Sequence, residues 1–283
     1  MTVAAGDVEL VGDLAMPDAA RGLVLFAHGS GSSRHSPRNR FVADVLQRAG
    51  LATFLIDLLT LGEERADART GELRFDVDLL AIRLVAVTDW LASEPATGGL
   101  PLGLFGASTG AAAALIAAAE RPSLVAAVVS RGGCPDLASD VLADVHAPTL
   151  LLVGERDEVV IDLNRRALTR LAGERHLEIV PSAGHLFEEP GTLDIVADRA
   201  SRWLRSHLRA GNDGEPMSVA RDPARSGRRW IALLVSLVVA VVGSLWLGAP
   251  LWLIGAVAII VAFGGGTLLF PKVNRRRSAR NRR

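Results

Sequence analysis

Cysteine is almost missing from this sequence: Cys134 stands alone among 283 residues. A single cysteine excludes an internal disulfide and indicates either a reducing compartment or indifference to the redox state. We interpret Cys134 as a small, buried core residue. Because there is no second cysteine and no closely spaced histidine pair of the H-E-x-x-H kind, the sequence predicts no metal site, and we expect no cofactor.

Two further signals are missing from the N-terminal part of the chain. The opening stretch "MTVAAGDVELVGDLAMP" has no basic segment and no long apolar run. We therefore expect no signal peptide, and we expect the body of the protein to remain where it is made. The stretch "HGSGSS" (28–33) has neither the G-K-[ST] of a P-loop nor the third glycine of a dinucleotide fingerprint, so it does not predict a phosphate loop. No nucleic-acid partner is expected either.

The net charge of zero hides an uneven distribution of charge along the chain. Residues 221–283 contain eleven arginine and lysine residues and a single acidic residue, Asp222. Residues 1–220 carry the matching excess of acidic groups. An acidic body is thus followed by a basic tail.

Short apolar runs alternate with helix-like stretches up to residue 208. Continuous apolar runs bounded by turn residues are typical of strands that are buried on both faces. Their alternation with helices predicts an α/β fold with a mostly parallel sheet and helices on both faces. We predict buried strands at 22–28, 51–57, 100–106, 124–130, 148–154 and 176–181. We predict helices at 38–49, 73–93, 109–120, 162–172 and 192–208. Apolar and polar residues alternate in the stretch 7–17, which is typical of an antiparallel edge strand. Only 58–75 forms a longer connection between predicted elements, so we expect no large lid over the site.

The composition changes completely after residue 208. Residues 209–229 are polar, contain glycine and proline and lack an apolar period, which predicts a linker. The stretches 230–248 and 251–270 are 19 and 20 residues long and contain no charge. At a rise of ~1.5 Å per residue, each is about as long as the hydrocarbon core of a bilayer is thick. They predict two membrane-spanning helices, which a basic tail at 271–283 follows.

The flanking charges predict how these two spans are oriented. Basic residues precede the first span and follow the second, whereas the connection "GAP" (248–250) has none. The positive-inside rule then gives a helical hairpin with the domain at 1–208 and the C-terminal tail both in the cytoplasm. We also expect the basic flanks to attract anionic lipid head groups, so that membrane lipid is a partner.

The stretch "LFGASTGAAAAL" (104–115) contains Ser108 between Gly106 and Gly110. This G-x-S-x-G pattern lies between a predicted strand and a predicted helix, which is the context of a nucleophile elbow. The two glycines would let the backbones of strand and helix approach closely. Ser108 would lie at a helix N-terminus, where the dipole favours a developing oxyanion. The alternative is a serine that packs among small residues.

A serine hydroxyl needs a base to take its proton, and His185 in "PSAGHLFEEP" (181–190) is the candidate base. His185 follows the last predicted strand and Asp157 follows the strand before it, so both lie at the sheet edge of Ser108. The order Ser108, Asp157, His185 is the order of the triad in α/β-hydrolases. Asp157 would hold the imidazole tautomer, and His185 would act first as base and then as acid. Asp157 could instead cap a helix, with Glu158 as the acid.

Backbone N–H groups near Ser108 are the candidates for an oxyanion hole. One donor would be Thr109, directly after the serine. The other would come from the loop after the strand at 22–28, where Ser30 is the candidate and Gly31 the alternative. We interpret His28 in this loop as structural.

Four arginines lie on predicted loops at the same edge: Arg34, Arg38, Arg40 and Arg131. Of these, Arg34 and Arg131 are the candidates for binding an anionic substrate. The alternative is that all four are solvated loop residues.

Together these features resemble the α/β-hydrolase superfamily, and residues 1–208 resemble its dienelactone-hydrolase-like group. The chain is similar to small hydrolases, some of them fused to phosphoribosyltransferase domains, that carry "HGSGSSRHSPRN", "GASTGAAAAL", "SRGG" and "HLFEEPG". The resemblance implies the α/β-hydrolase fold. Dienelactone hydrolases themselves use a cysteine nucleophile, whereas position 108 is serine here, so the resemblance carries the fold and not the lactone substrate.

The sequence therefore predicts a membrane-tethered serine hydrolase that cleaves small ester or thioester bonds through an acyl-enzyme intermediate. Lactone and amide substrates stay open, because a triad does not by itself select a leaving group. A second class of function is a non-catalytic, hydrolase-like scaffold that binds a ligand or partner at the membrane. The complete triad counts against that alternative.

Overall fold

The computed structural model describes residues 1–208, where eight strands alternate with six α-helices. The strands are β1 (Thr2–Ala5), β2 (Val8–Ala15), β3 (Leu23–Ala27), β4 (Ala52–Ile56), β5 (Leu102–Ala107), β6 (Val125–Arg131), β7 (Thr149–Gly154) and β8 (Arg175–Val180). The α-helices are α1 (Pro37–Arg48), α2 (Leu61–Thr70), α3 (Val77–Ser93), α4 (Thr109–Glu120), α5 (Glu158–Leu168) and α6 (Thr192–His207). Two 3-10 segments lie at Leu73–Phe75 and Pro135–Asp144.

All of these strands join one sheet in the order β1-β2-β4-β3-β5-β6-β7-β8. β2 pairs antiparallel with both β1 and β4, whereas every neighbouring pair from β4 to β8 is parallel. The predicted mostly parallel sheet and the antiparallel pairing of the strand predicted at 7–17 are confirmed, but this strand, β2, is not the edge strand that the sequence predicted, because β1 pairs with its outer side. β1, which forms the edge itself, was not predicted, because its four residues are too few to show a pattern.

Helices cover the sheet on both faces. α1 and α6 pack on one face around a cluster that includes Phe26 and Phe105, and α3 and α4 pack on the other face. Strands β3, β4, β5 and β7 are buried along their whole length, which explains their continuous apolar runs. Nine of the twelve residues of α4 are buried, because its alanines and glycine let it lie close to the sheet.

Helix α2 occupies the connection 58–75, where the sequence analysis placed no separate helix. A capping box starts it: the Thr60 hydroxyl accepts the Glu63 N–H at 3.2 Å, and the Glu63 carboxylate accepts the Thr60 N–H at 2.7 Å. Gly71 ends it with a φ of +69°. α2 buries only Asp67, so no apolar period marks it. The T-x-x-E pattern and the glycine were the available signals.

The carboxyl ends of β3 and β5 meet where the strand order reverses. From β3 the chain continues to β4 on one side, and from β5 it continues through β6, β7 and β8 on the other. Open α/β sheets bind their ligands in the crevice outside such a switch point. The loop 28–36 leaves from β3 and Ser108 leaves from β5, so the fold places both beside this crevice.

In the part of the chain that the structure describes, no helix has the length and apolar character to cross a membrane. The predicted linker (209–229), the predicted spans (230–248 and 251–270) and the predicted basic tail (271–283) lie outside the described residues. These assignments stay predictions from the sequence.

Candidate active site

Ser108 forms a sharp turn between β5 and α4. Its φ of +50° and ψ of −121° lie in a region that L-residues rarely adopt, at a cost on the order of 1–3 kcal/mol. The Ser108 N–H donates to the Arg131 carbonyl at 3.1 Å, and the Ser108 carbonyl accepts from the Cys134 N–H at 3.4 Å. Backbone strain that the surroundings maintain in this way is concentrated at functional sites.

Gly106 and Gly110 make this turn possible. A Cβ on Gly106 would lie 2.6 Å from the Gly110 carbonyl oxygen and 2.7 Å from the Ala111 nitrogen. A Cβ on Gly110 would collide with the carbonyl oxygens of Ala27 and His28 at the end of β3. The backbones of β3, β5 and α4 therefore approach more closely than any side chain at these positions would allow. This is the close approach predicted for the two glycines.

Asp157 and His185 follow β7 and β8 at the same edge of the sheet. His185 Nδ1 and Asp157 Oδ2 lie 2.6 Å apart. When Nδ1 carries the proton, the imidazole donates to the carboxylate and Nε2 is left as an acceptor. Asp157 occupies the N-cap position of α5 but makes no capping hydrogen bond, and Glu158 is exposed. The Asp157 side chain is thus engaged with the imidazole and not with the helix.

Carboxylates hold the loop 181–191, which we call the histidine loop. Both carboxylate oxygens of Glu189 accept the Gly184 N–H at 3.0 Å, and Glu155 accepts the Ser182 N–H at 2.8 Å. The hydrogen bond from Gly184 keeps the pKa of Glu189 below its ordinary value. The conformation of the histidine loop therefore depends on this carboxylate remaining ionised.

Ser108 and His185 lie at one edge without a hydrogen bond between them. Within the described chain, the imidazole bonds to Asp157 and not to the Ser108 hydroxyl. Gly132 packs against the ring, since a Cβ there would lie 3.5 Å from His185 Nδ1 and Cε1. The Ser108 hydroxyl contacts the Cys134 thiol, whose pKa is raised by burial. Catalytic hydrogen bonds are often long in ligand-free enzymes and tighten in the substrate complex.

The N–H groups of Ser30 and Thr109, the two predicted oxyanion donors, have no hydrogen-bond acceptor within residues 1–208. Thr109 is the first residue of α4, so its N–H has no acceptor inside the helix. The loop of Ser30 comes close to the serine, since a Cβ on Gly29 would lie 3.0 Å from Ser108 Cβ. Both donors are therefore available, and their role stays a prediction.

His28 anchors the loop 28–36 to the end of β4. Its side chain is buried, Nε2 accepts the Leu58 N–H at 3.1 Å, and Nδ1 lies 3.0 Å from the Gly29 carbonyl oxygen. Burial lowers the pKa of His28, so that the ring is neutral at neutral pH. This geometry agrees with the structural role predicted for it.

Arg34 and Arg40 are engaged with acidic partners. The Arg34 side chain pairs with Asp57, and its backbone N–H donates to the same carboxylate at 2.6 Å. Arg40 pairs with Asp13 at 3.0 Å. Arg34, predicted as a substrate-binding residue, thus ties the loop 28–36 to the end of β4, and its role toward a substrate stays a prediction.

Arg131, the other predicted substrate-binding residue, lies in a very different environment. It is 8% exposed, and its guanidinium forms no hydrogen bond or ion pair with a described residue, with Nη1 fully buried. Burial, together with the nearby charge of Arg38, lowers the pKa of Arg131 to about 10. Arg131 is therefore still a cation at neutral pH.

A cavity of about 530 Å³ opens beside the loop 28–36. Gly29 and Ser30 line it on the side of Ser108, Leu59 and Leu80 provide its apolar wall, and Arg38 is also among its lining residues. Sites for small molecules occupy roughly 300–1,000 Å³. The cavity is therefore large enough for a small molecule, although Ser108 and His185 are not among its lining residues.

Sequence reasoning missed Gly132, Cys134 and Glu189. Cys134 was interpreted as a buried core residue, but it is only partly buried and contacts Ser108. A signal existed for the first two, because "SRGGC" directly follows a predicted strand and so belongs at the edge of Ser108. No local pattern marks Glu189, because its contact with Gly184 depends on how the histidine loop folds.

Comparison with known proteins agrees with this architecture. The family described as the alpha/beta hydrolase fold matches residues 22–177. The crystal structure of a dienelactone hydrolase from Anabaena variabilis is 60% identical, covers 74% of this chain and 97% of its own chain, and superposes with a TM-score of 0.73. Est1E from Butyrivibrio proteoclasticus is 15% identical, covers 73% of this chain and 98% of its own, and superposes with a TM-score of 0.62, which shows the shared fold alone.

Curated relatives extend beyond the matched region. A Mycobacterium tuberculosis protein, provisionally named a phosphoribosyl transferase, is 59% identical over 206 residues, which are 73% of this chain and 46% of the relative. The chain thus spans about half the length of this curated relative and of its counterpart from a second strain. With a family match over more than half of its residues and the sheet described above, the chain belongs to the α/β hydrolase fold family.

Proposed function

We propose that residues 1–208 form a serine hydrolase that cleaves small ester or thioester bonds through a Ser-His-Asp triad. The observation that carries this proposal is the strained Ser108 at the start of α4, on the sheet edge where His185 and Asp157 lie 2.6 Å apart. The α/β hydrolase fold and the likeness to the Anabaena dienelactone hydrolase support hydrolase chemistry. Substrate, bond type and residue roles are part of the proposal.

In the proposed reaction, Ser108 Oγ attacks the carbonyl carbon while His185 Nε2 takes the hydroxyl proton. Asp157 keeps Nδ1 protonated and stabilises the imidazolium that forms. His185 then gives the proton to the leaving alcohol or thiol, and an acyl group remains on Ser108. Water, activated by the same imidazole, releases the acid and restores the serine.

The tetrahedral intermediates carry a negative oxygen that needs donors. We assign these to the N–H groups of Ser30 and Thr109, with Gly31 as the alternative to Ser30. Their lack of other acceptors among the described residues supports the assignment. Donors that are oriented before the reaction stabilise charge without reorganisation, and one such donor contributes about 10²–10³ in rate.

The substrate class follows from the size and openness of the site. The longest connection at this edge holds only α2 and one 3-10 turn, so small or flexible acyl groups reach Ser108 without a large lid. The name of the Anabaena relative adds lactones to the substrates worth testing. Amides, with a poorer leaving group, form the remaining alternative.

We further propose that this domain is tethered to the cytoplasmic face of the cell membrane by a hairpin of residues 230–248 and 251–270. The support is the sequence: two uncharged stretches of spanning length with basic residues on both outer flanks. A reporter fused after Arg283 should be active on the cytoplasmic side. Activity on the outer side alone would contradict the hairpin.

A fluorophosphonate probe and a panel of acyl esters, thioesters and lactones test the catalytic proposal. Wild-type protein should label at Ser108, and Ser108→Ala should abolish both labelling and turnover while leaving the circular dichroism spectrum unchanged. Ser93→Ala, a change at an exposed serine at the end of α3, is the matched control and should behave as wild type. Labelling of another serine in Ser108→Ala would refute the assignment, and an unlabelled wild type would favour the non-catalytic scaffold.

A further inference from the structure

Two arginines of the described domain are almost completely buried, but only one of them has hydrogen-bond acceptors. Arg83 is 5% exposed; it donates to the Leu58 carbonyl at 2.7 Å and to the Glu63 carboxylate at 2.5 Å. Arg131 is 8% exposed and has no acceptor among the described residues. A buried cation without a partner is strongly destabilising, whereas a paired one is tolerated. Arg83 is therefore a structural arginine, and Arg131 needs another explanation.

The charges around Arg131 do not supply a partner. Side chains alternate along β6, so Arg131 points to the same sheet face as Ala127 and Val129, which is the face covered by α1 and α6. The nearby charge on that face is a second cation, Arg38 of α1. The charge of Arg38 thus acts on Arg131, and each guanidinium has a buried nitrogen without a hydrogen-bond partner among the described residues, Nε in Arg38 and Nη1 in Arg131. Neighbouring positive charges create a potential that attracts anions.

Arg131 is also tied directly to the candidate active site. Its carbonyl oxygen accepts the Ser108 N–H at 3.1 Å, and the next residue, Gly132, packs against the His185 ring. Arg38 lines the cavity beside the loop 28–36. The backbone of Arg131 therefore lies against Ser108, while the Arg38 side chain lines the neighbouring cavity.

We propose that Arg131 and Arg38 bind an anionic group of the substrate, a carboxylate or a phosphate, so that the site favours esters that carry negative charge near the scissile bond. The proposal rests on the hydrolase function proposed above. The planar guanidinium fork matches the two oxygens of a carboxylate or phosphate. Such an anionic group would supply the hydrogen-bond acceptor that Arg131 lacks among the described residues.

The present partner of Arg38 does not block this site. Arg38 pairs with Glu188 at 2.9 Å, but the side chains are 31% and 64% exposed. Ion pairs this exposed contribute little to stability. A substrate anion that replaces Glu188 at Arg38 would gain contact with both cations.

The test compares two esters of similar length on the full chain: 4-nitrophenyl butyrate, which is neutral, and mono(4-nitrophenyl) succinate, which ends in a carboxylate. Arg131→Met should lower kcat/KM for the succinate ester by about 10- to 100-fold, the usual worth of hydrogen bonds to a charged group. Hydrolysis of the butyrate should be unchanged. Arg165→Met removes one exposed positive charge on α5 and should change neither rate.

An equal loss on both esters, or no loss on either, would overturn the proposal. Arg38→Met is the second variant, because Arg38 is partly exposed and its replacement does not disturb the core. It should show the same selective loss in smaller measure. Arg38→Met with unchanged selectivity would count against the shared anion site.

Calorimetric titration with succinate and with inorganic phosphate separates the two anions and does not depend on catalysis. Wild type should bind one of them, and Arg131→Met should lose that binding. Binding of succinate alone would show that the site recognises a carboxylate, and binding of phosphate alone would show that it recognises a phosphate group of the substrate. Binding that depends on Arg131 in a protein that cleaves neither ester and is not labelled by the fluorophosphonate probe would refute the hydrolase and keep the anion site. No binding to wild type would refute the anion site.

Discussion

Two regions at the carboxyl edge of the sheet are held in place by different forces. The turn at Gly106–Gly110, which we call the elbow, is positioned by the close contact of three backbones and by main-chain hydrogen bonds. The histidine loop is positioned by carboxylates, with Glu189 on Gly184 and Asp157 on His185. The first region depends on shape and the second on charge.

This difference determines what each region responds to. Steric contacts are insensitive to pH and salt, but they tolerate no added atoms. Hydrogen bonds to a carboxylate tolerate small movements but weaken when the carboxylate is protonated. The proposed nucleophile is thus rigidly held, whereas the loop that carries its base is held through the ionised carboxylate of Glu189.

The largest expected effect concerns the carboxylate that orients the imidazole. Asp157→Asn should lower kcat by about 10⁴, because the wrong imidazole tautomer would be favoured, as in serine proteases. Glu158→Gln is the matched control: it removes the neighbouring, exposed carboxylate and should leave kcat nearly unchanged. Steady-state kinetics on one ester with both variants checks this, and a greater loss in Glu158→Gln would reverse the assignment.

Atoms added at the elbow should lower the free energy of unfolding. Gly110→Ala places a Cβ against the carbonyl oxygens of Ala27 and His28, and we expect it to lower the free energy of unfolding by about 3 kcal/mol, as overpacking does. Gly99→Ala is the control, since a Cβ there would meet no atom within 4 Å. Urea unfolding measures both. Equal stabilities would show that α4 can move away from β3, and that the elbow is not sterically held.

The smallest effect should come from Glu189→Gln, which removes the charge that holds Gly184. We expect a severalfold lower kcat with KM nearly unchanged, because the imidazole is less well positioned. Glu174→Gln, at an exposed glutamate near the C-terminal end of α6, should have no effect.

The pH dependence of the histidine loop follows from the same carboxylate. The pKa of Glu189 lies below its ordinary value of 4.5 in the folded protein. Its contribution is therefore complete above pH 4.5 and is lost as the pH falls through the lower folded-state pKa. The protection of residues 181–191 against hydrogen exchange, measured relative to the intrinsic exchange rate at each pH, should decrease in that acid range in wild type. Glu189→Gln should exchange rapidly at every pH, and an acid transition that persists in this variant would assign the effect to another group.

Most of the fold could be predicted from the sequence, because parallel strands that are buried on both faces consist of consecutive apolar residues. The six predicted parallel strands lie within about two residues of their observed ends, but β8, predicted as buried, is mostly exposed or partly buried because it forms the edge of the sheet. Helix α2 was missed because it covers almost no apolar surface. The sequence predicted that α5 begins at 162, whereas it begins at Glu158, directly after Asp157.

The placement of the strands along the chain was enough to predict which loops lie at the carboxyl edge. Parallel strands end at the same edge of a sheet, so the loops that carry Ser108, Asp157 and His185 lie at that edge, where Asp157 and His185 are in contact. Their individual partners were decided by the tertiary structure. Arg34 has Asp57 while Arg131 has no acceptor in the described chain. Such pairings depend on side chains that distant segments bring together, and no local periodicity records them.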